Sequence, residues 1–297
     1  FSTINLTQLP IDPINNPPYY YSFVAGGSYK LTAKPEANYS LSINDGGIEP
    51  LLIEVGTNKK LPTFQSGLVG YWPFDEGSGN IAKDYSGNGN DGTLVNGPQW
   101  VDGKVGKALS FDTNLSQGVY VNWDGSNLPT SGVYNNHDFT IVVWTSPINP
   151  GGTNNGWCLW QIYKAGSSPS TIGQNFFFIH PARGDYNVDS LGSHYNEFNA
   201  CGNKVKFNPD WNFVSYIYTN SDRLERVYHD ALQCGSHIIS IPYSIDTAPV
   251  SNYKLWIGSP AYSGCYYGRY FNGLIDEVRV YNRALSDQEI KALYDAT

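Results

Sequence analysis

The segment FNGLIDEVRVYNRALSDQEIKALYDA, residues Phe271 to Ala296, holds a strand and a helix side by side, and the fold class turns on how the two are related. Ile275, Val278 and Val280 are apolar and Arg279 is polar, so Leu274 to Tyr281 reads as a strand, entered through the Asn272-Gly273 turn signal. Ser286 is a natural N-cap, and Glu289 three residues on can reach back to it, so Ser286-Asp287-Gln288-Glu289 is a capping box. Ile290 and Leu293 then share one face of a short helix that can rest on a sheet. The acidic pair Asp276-Glu277 sits directly ahead of the last apolar run. If alternation is regular the two side chains point to opposite faces of that strand.

The composition around this segment favours strands. Among 297 residues there are 23 Tyr, 8 Trp, 31 Gly and 18 Pro, a mixture of β-formers and turn residues rather than helix formers. The expected class is therefore all-β. A net charge of -8 leaves no basic surface for phosphates, so nucleic acid is excluded as a partner. An acidic surface suits calcium as well as simple solubility. No run of about eighteen apolar residues exists to span a membrane. Methionine is absent, which implies a chain that has been processed or cut. Cys158, Cys201, Cys234 and Cys265 are spaced too widely for a zinc knuckle, so disulfides in an oxidising compartment are expected, with three pairings open. Asn5, Asn38 and Asn114 each open a glycosylation acceptor pattern, which has meaning in a eukaryotic secretory chain.

Two segments differ in texture. Residues 1–64 read as a small β unit: an aromatic strand at Tyr19 to Val24, a Gly26-Gly27 turn, a second strand at Tyr29 to Lys34, and a short apolar run at Leu51 to Val55. A piece this small buries little surface and would be marginal alone. Its runs LPIDPINNPPYYYSF, YKLTAKPE and NDGGIEPLLIEVGTN resemble the C-terminal portion of type IV pilins and type II secretion pseudopilins, over about residues 7–60. That resemblance implies a hydrophobic N-terminal helix, missing here, and pilin-like filament subunits as partners.

From residue 67 to 297 the chain becomes a series of short strands punctuated by Asn, Asp and Gly turns. Strands are expected at Tyr120 to Trp123, Phe139 to Thr145, Cys158 to Tyr163, Phe176 to His180, Trp211 to Tyr218, Leu224 to His229, His237 to Ile241 and Lys254 to Gly258. So many strands imply a two-sheet antiparallel jelly-roll sandwich with one short C-terminal helix. Trp72, Trp144, Trp211 and Trp256 all sit in apolar runs and are expected in the core. The opening LVGYWPFDEGSGNIAKDYSGNGNDGTLVNG (68–97), the interior runs FTIVVWTSP (139–147) and WNFVSYIYTNSDRLERVYHDALQ (211–233), and the closing segment resemble the concanavalin A-like, laminin-G-like domains of secreted proteins. Where such domains carry Asp-Gly in a hairpin this chain has Asp230-Ala231, which leaves the turn type open.

For chemistry, no cluster of carboxylates at E-x-D-x-x-E spacing appears, and Asp222 with Glu225 flanks a hairpin where charge serves solubility. The five His are scattered and no G-x-S-x-G motif accompanies them, so the chain is expected not to be an enzyme. The laminin-G resemblance implies a structural calcium ion tying first strand to last, carried onto Asp75 of FDEG and Asp276 of IDEV, with Asp276 held between the two ends of the domain and Glu277, on the opposite face, left in solvent. For sugars the useful groups are exposed aromatics and planar polar side chains. Trp157 in NNGWCLWQIY, and Tyr262, Tyr266, Tyr267 and Arg269 in PAYSGCYYGRYFNG, lie in or beside Gly-rich loops and are the candidate ligand-binding residues. The expected protein is an extracellular or cell-surface adhesin recognising glycan or another cell-surface ligand. The alternatives are a structural filament subunit with a decorative sandwich, or the accessory carbohydrate-binding module of a secreted glycan-degrading enzyme.

Overall fold

The computed structural model describes residues 21–25, 29–33, 53–56, 66–123, 138–148, 157–164, 175–182, 185–192, 197–199, 210–238, 253–258 and 270–297. The chain separates into two compact units, divided between Ser66 and Gly67. The first contains one antiparallel sheet of three strands, β1 (Tyr21–Ala25), β2 (Tyr29–Ala33) and β3 (Ile53–Gly56), in that spatial order. The expected hairpin is thus present as β1 and β2, and the apolar run at Leu51 to Val55 supplies a third strand.

The second unit is a sandwich of two antiparallel sheets. One sheet holds β4 (Leu68–Trp72), β7 (Gln99–Asp102), β8 (Lys107–Phe111), β10 (Phe139–Pro147), β15 (Asn212–Thr219), β16 (Leu224–His229), β17 (Leu232–Ile238) and β19 (Gly273–Tyr281). Its order is β17-β16-β15-β10-β19-β8-β7, with β4 also paired to β19. The other holds β5 (Ile81–Ala82), β6 (Gly92–Val95), β9 (Gly118–Val121), β11 (Trp157–Lys164), β12 (Asn175–Ala182), β13 (Asp185–Gly192), β14 (Glu197–Asn199) and β18 (Tyr253–Ile257). Its order is β14-β13-β12-β11-β18-β9-β6-β5.

Alternation explains why the sheets stack. Ile141 and Val143 of β10, Val278 and Val280 of β19, Val119 and Val121 of β9, and Leu255 and Ile257 of β18 all enter one buried apolar cluster, on period two along each strand. Trp72 is fully buried there, edge-on to Trp123 at 5.9 Å, and its indole Nε1–H donates to the carbonyl of Asn90 at 2.9 Å. The Asn90 loop is itself organised by Asp84, which accepts hydrogen bonds from the backbone N–H groups of Tyr71, Ser86 and Asn90, each at 2.9 Å. The SGNGND run, between β5 and β6, is therefore a strap that ties the first strand of the sandwich to the opposite sheet.

The first sheet is buried on its outer face too, because the C-terminal helix (Asp287–Ala296) lies on it. The capping box forms as expected, with Ser286 Oγ accepting from Glu289 N–H at 3.3 Å and Glu289 Oε2 accepting from Ser286 N–H at 2.8 Å. Ile290 and Leu293 are buried, Tyr294 stacks on Trp144 at 5.6 Å, and Trp144 Nε1–H donates to Thr297 Oγ1 at 2.7 Å. Strands covered on both sides read as continuous apolar runs, which is why β10 has no polar face. Trp144 is accordingly buried beneath the helix and outside the inter-sheet core cluster.

Four expectations are corrected. Glu277 is 2% exposed, not solvated: a bulge in the β10–β19 register and a left-handed backbone (φ 55°) at Glu277 break the alternation. Tyr71 donates its hydroxyl to Glu277 Oε1 at 2.9 Å and Arg279 forms an ion pair with it. Glu225 is buried rather than a solubilising charge, because β16 returns from its turn with Glu225 opposite Tyr218 on the core face, where it accepts from Tyr216 Oη at 2.7 Å. Trp211 is half-buried and lies one residue ahead of β15. Trp256 is half-buried on the outer side of the second sheet, since its neighbours Leu255 and Ile257 take the core side.

Candidate functional site

The second sheet presents a polar-aromatic outer face, and period-two alternation builds it. On β9, Val119 and Val121 turn inward, so Tyr120 and then Asn122 turn outward. On β18, Leu255 and Ile257 turn inward, so Lys254 and Trp256 turn outward. The ladders align Thr93, Tyr120, Trp256 and Gln161 in one cross-strand row. Tyr120 and Trp256 meet with ring centroids 5.2 Å apart and planes inclined at 55°. Gln161 is buried at the register position beside Trp256. Two residues away along β18, about 7 Å by strand geometry, Lys254 Nζ donates to Asn122 Oδ1. Trp256 Nε1–H is shielded from solvent and has no acceptor among the described residues.

Such a surface is suited to holding a sugar. A half-buried aromatic pair offers flat apolar area to the C–H face of a pyranose or furanose ring, while the Asn122 amide and the Lys254 ammonium are hydrogen-bonding groups at its margins.

Of the ligand-binding residues named from the sequence, Trp157 opens β11 opposite Ile179, and its side chain lies outside the described residues. Tyr262, Tyr266, Tyr267 and Arg269 also lie outside them. Sequence reasoning missed Tyr120 and Trp256. The signal was present in Val119-Tyr120-Val121-Asn122 and Lys254-Leu255-Trp256-Ile257, two stretches whose apolar and polar members alternate, but each was absorbed into an apolar run.

The two carboxylates assigned to calcium do converge. Asp276 Oδ2 accepts from Val105 N–H at 3.0 Å, and Asp75 Oδ1 accepts from Lys107 N–H at 2.7 Å, so both bind the one turn between β7 and β8. The turn is glycine-dependent: a Cβ on Gly106 (φ 58°) would come within 2.1 Å of Asp75 Oδ1. Asp276 is completely buried, its Oδ1 has no hydrogen-bond partner among the described residues, and burial pushes its pKa up to about 7, opposed by the backbone N–H groups of Val105, Glu277 and Lys104 and reinforced by the Glu277 charge. An orphaned carboxylate oxygen beside a second carboxylate fits a hard cation that takes its remaining oxygens from backbone and water. Among the described residues no group of three or more His, Cys, Asp or Glu is placed to hold a metal.

Residues 116–291, more than half of the chain, match the family described as the concanavalin A-like lectin/glucanases superfamily. No curated protein matches the chain. Among solved structures, it is similar to domain 4 of AbnA, a GH43 extracellular arabinanase from Geobacillus stearothermophilus, determined in complex with arabinotriose. That match has 17% identity and a TM-score of 0.54, over 77% of this chain and 98% of that one. It is similar to the binding domain of Paraclostridial Mosquitocidal Protein 1, with 16% identity and a TM-score of 0.54, over 79% of this chain and 53% of that one. It is also similar to the receptor-binding domain of botulinum neurotoxin mosaic serotype C/D, with 12% identity and a TM-score of 0.54, over 79% and 52%. The chain thus spans about half the length of the two toxin domains, and at these identities the likeness is one of fold.

Proposed function

The chain belongs to the concanavalin A-like lectin/glucanases superfamily, and from that premise we propose that it is a non-catalytic glycan-binding protein of the cell surface or extracellular space. The observation that carries the reading is the Tyr120–Trp256 pair on the outer face of the second sheet, flanked by Asn122 and Lys254. The first sheet has no such face to offer, because the C-terminal helix covers it around Trp144. The arabinanase domain bound to arabinotriose supports a sugar as ligand class, and the toxin binding domains support recognition rather than catalysis. No helix among the described residues is long and apolar enough to cross a membrane. The pilin-like reading of residues 1–64 would place the sandwich on a filament, and the family match lies wholly outside that segment.

A glycan array on the intact chain, repeated with Trp256→Ala, tests the reading. Hits that vanish with the substitution support it, and an array without hits contradicts it. We further propose that calcium bridges Asp75 and Asp276 at the β7–β8 turn, on the strength of the orphaned Asp276 Oδ1.

A further inference from the structure

Resting on the sugar-binding reading of the same face, we propose that its ligand is a carboxylate-bearing glycan, of uronic-acid type, with Lys254 receiving the carboxylate. The described lysine side chains differ in what they meet. Lys83 pairs with Asp91, Lys107 with Asp102 and Lys291 with Asp295, and Lys104 lies over the ring of Trp144 at 4.4 Å. Lys254 instead meets a neutral amide, Asn122 Oδ1. Its charge is therefore positioned but not neutralised by any acid among the described residues, in a chain whose net charge is -8. An ammonium has three donors, and the bond to Asn122 uses one of them.

Position makes this charge useful. Lys254 and Trp256 project from one face of β18 two residues apart, about 7 Å, so a sugar stacked on the Trp256–Tyr120 pair brings a ring substituent or the next residue of an oligosaccharide over the ammonium. Lys254 is half-buried, which lessens the screening of an ion pair formed there relative to one in open solvent. Asn122, exposed beside it, adds amide N–H donors for the second carboxylate oxygen. Because the whole chain is acidic, long-range attraction cannot draw in an anion, and selectivity for the charged sugar must come from this local contact.

Oligogalacturonate and its fully methyl-esterified form have the same rings and differ in charge, so they are the probes. With the intact chain, calorimetric titration should show the acid form binding at least tenfold more tightly than the ester. Lys254→Gln should remove that preference, bringing the acid form down to about the affinity the same variant shows for the ester, and Lys254→Arg should restore it. Melting curves of both variants, expected to overlay the parent, confirm folding. Equal affinity for the two forms, or a preference that survives Lys254→Gln, overturns the inference while the sugar-binding face stands. Binding of neither form overturns it as well. If no neutral glycan binds in a Trp256-dependent way either, the sugar-binding reading falls with it.

Discussion

Tyr120 and Trp256 face one another across the β9–β18 ladder with ring centroids 5.2 Å apart, on the side of the second sheet opposite the core. Trp72 and Trp123 make a similar contact at 5.9 Å on the core side, where both are buried. The two pairs are chemically alike and differ in what surrounds them, which separates a stabilising role from a binding one.

For the buried pair the expected consequence is thermodynamic. Trp72→Ala should cost roughly 3 to 5 kcal/mol of folding free energy, because it opens a large cavity and also strips the Asn90 carbonyl of its donor. Trp211→Ala, at a half-buried position ahead of β15, should cost clearly less. Chemical denaturation of the two variants checks the order, and equal losses would contradict it.

The β16–β17 hairpin turns through Asp230 and Ala231 with φ of 47° and 61°, both left-handed, so it is a two-residue turn of the primed kind carrying alanine where glycine is favoured. An L-residue there costs roughly 1–2 kcal/mol, offset in part by the greater chain entropy of glycine. Ala231→Gly should therefore stabilise the protein by about 1 kcal/mol, visible as a melting temperature a few degrees higher. A lower melting temperature would show that the strain is absent.

Much of this fold was legible. The capping box and the Ile290/Leu293 face are local signals, and the strands of the sandwich follow from short alternating runs between Gly and Asn turns. Parity was harder to read. One bulge at Glu277 buries the second acid of the pair beside the first, and no local residue announces it. Glu225 enters the core because of its register with Tyr218, a relation set by the strand pairing. Trp256 was assigned to the core for its apolar neighbours, although those neighbours are what turn it outward.

Asp276 gives a pH dependence whose sign follows from its shift. Its pKa in the folded state, about 7, lies above the ordinary 3.8, so the stability it contributes is complete below about pH 4 and is lost as pH rises towards 7. In the presence of chelator, the melting temperature of the parent should fall relative to that of Asp276→Asn across this window. Adding calcium at pH 7.5 should then raise the parent's melting temperature and leave the variant's unchanged. Parallel curves would contradict the shift, and a parent indifferent to calcium would remove the cation.

No cysteine is free among the described residues, and the export reading extends this to the whole chain. Thiol titration of the denatured, unreduced protein should therefore find none of the four sulfurs of Cys158, Cys201, Cys234 and Cys265 reactive. Four reactive thiols would place the chain in a reducing compartment and remove the surface setting.

The glycan-binding role of the outer face is tested most directly by titrating the strongest array ligand into the intact chain and into Trp256→Ala, with a melting curve of each. Stacking on a few aromatic groups carries such binding, so the substitution should abolish measurable heat while moving the melting temperature by no more than a few degrees. A Trp256→Ala protein that binds as the parent does would contradict the account, and so would one that loses binding only because it no longer folds.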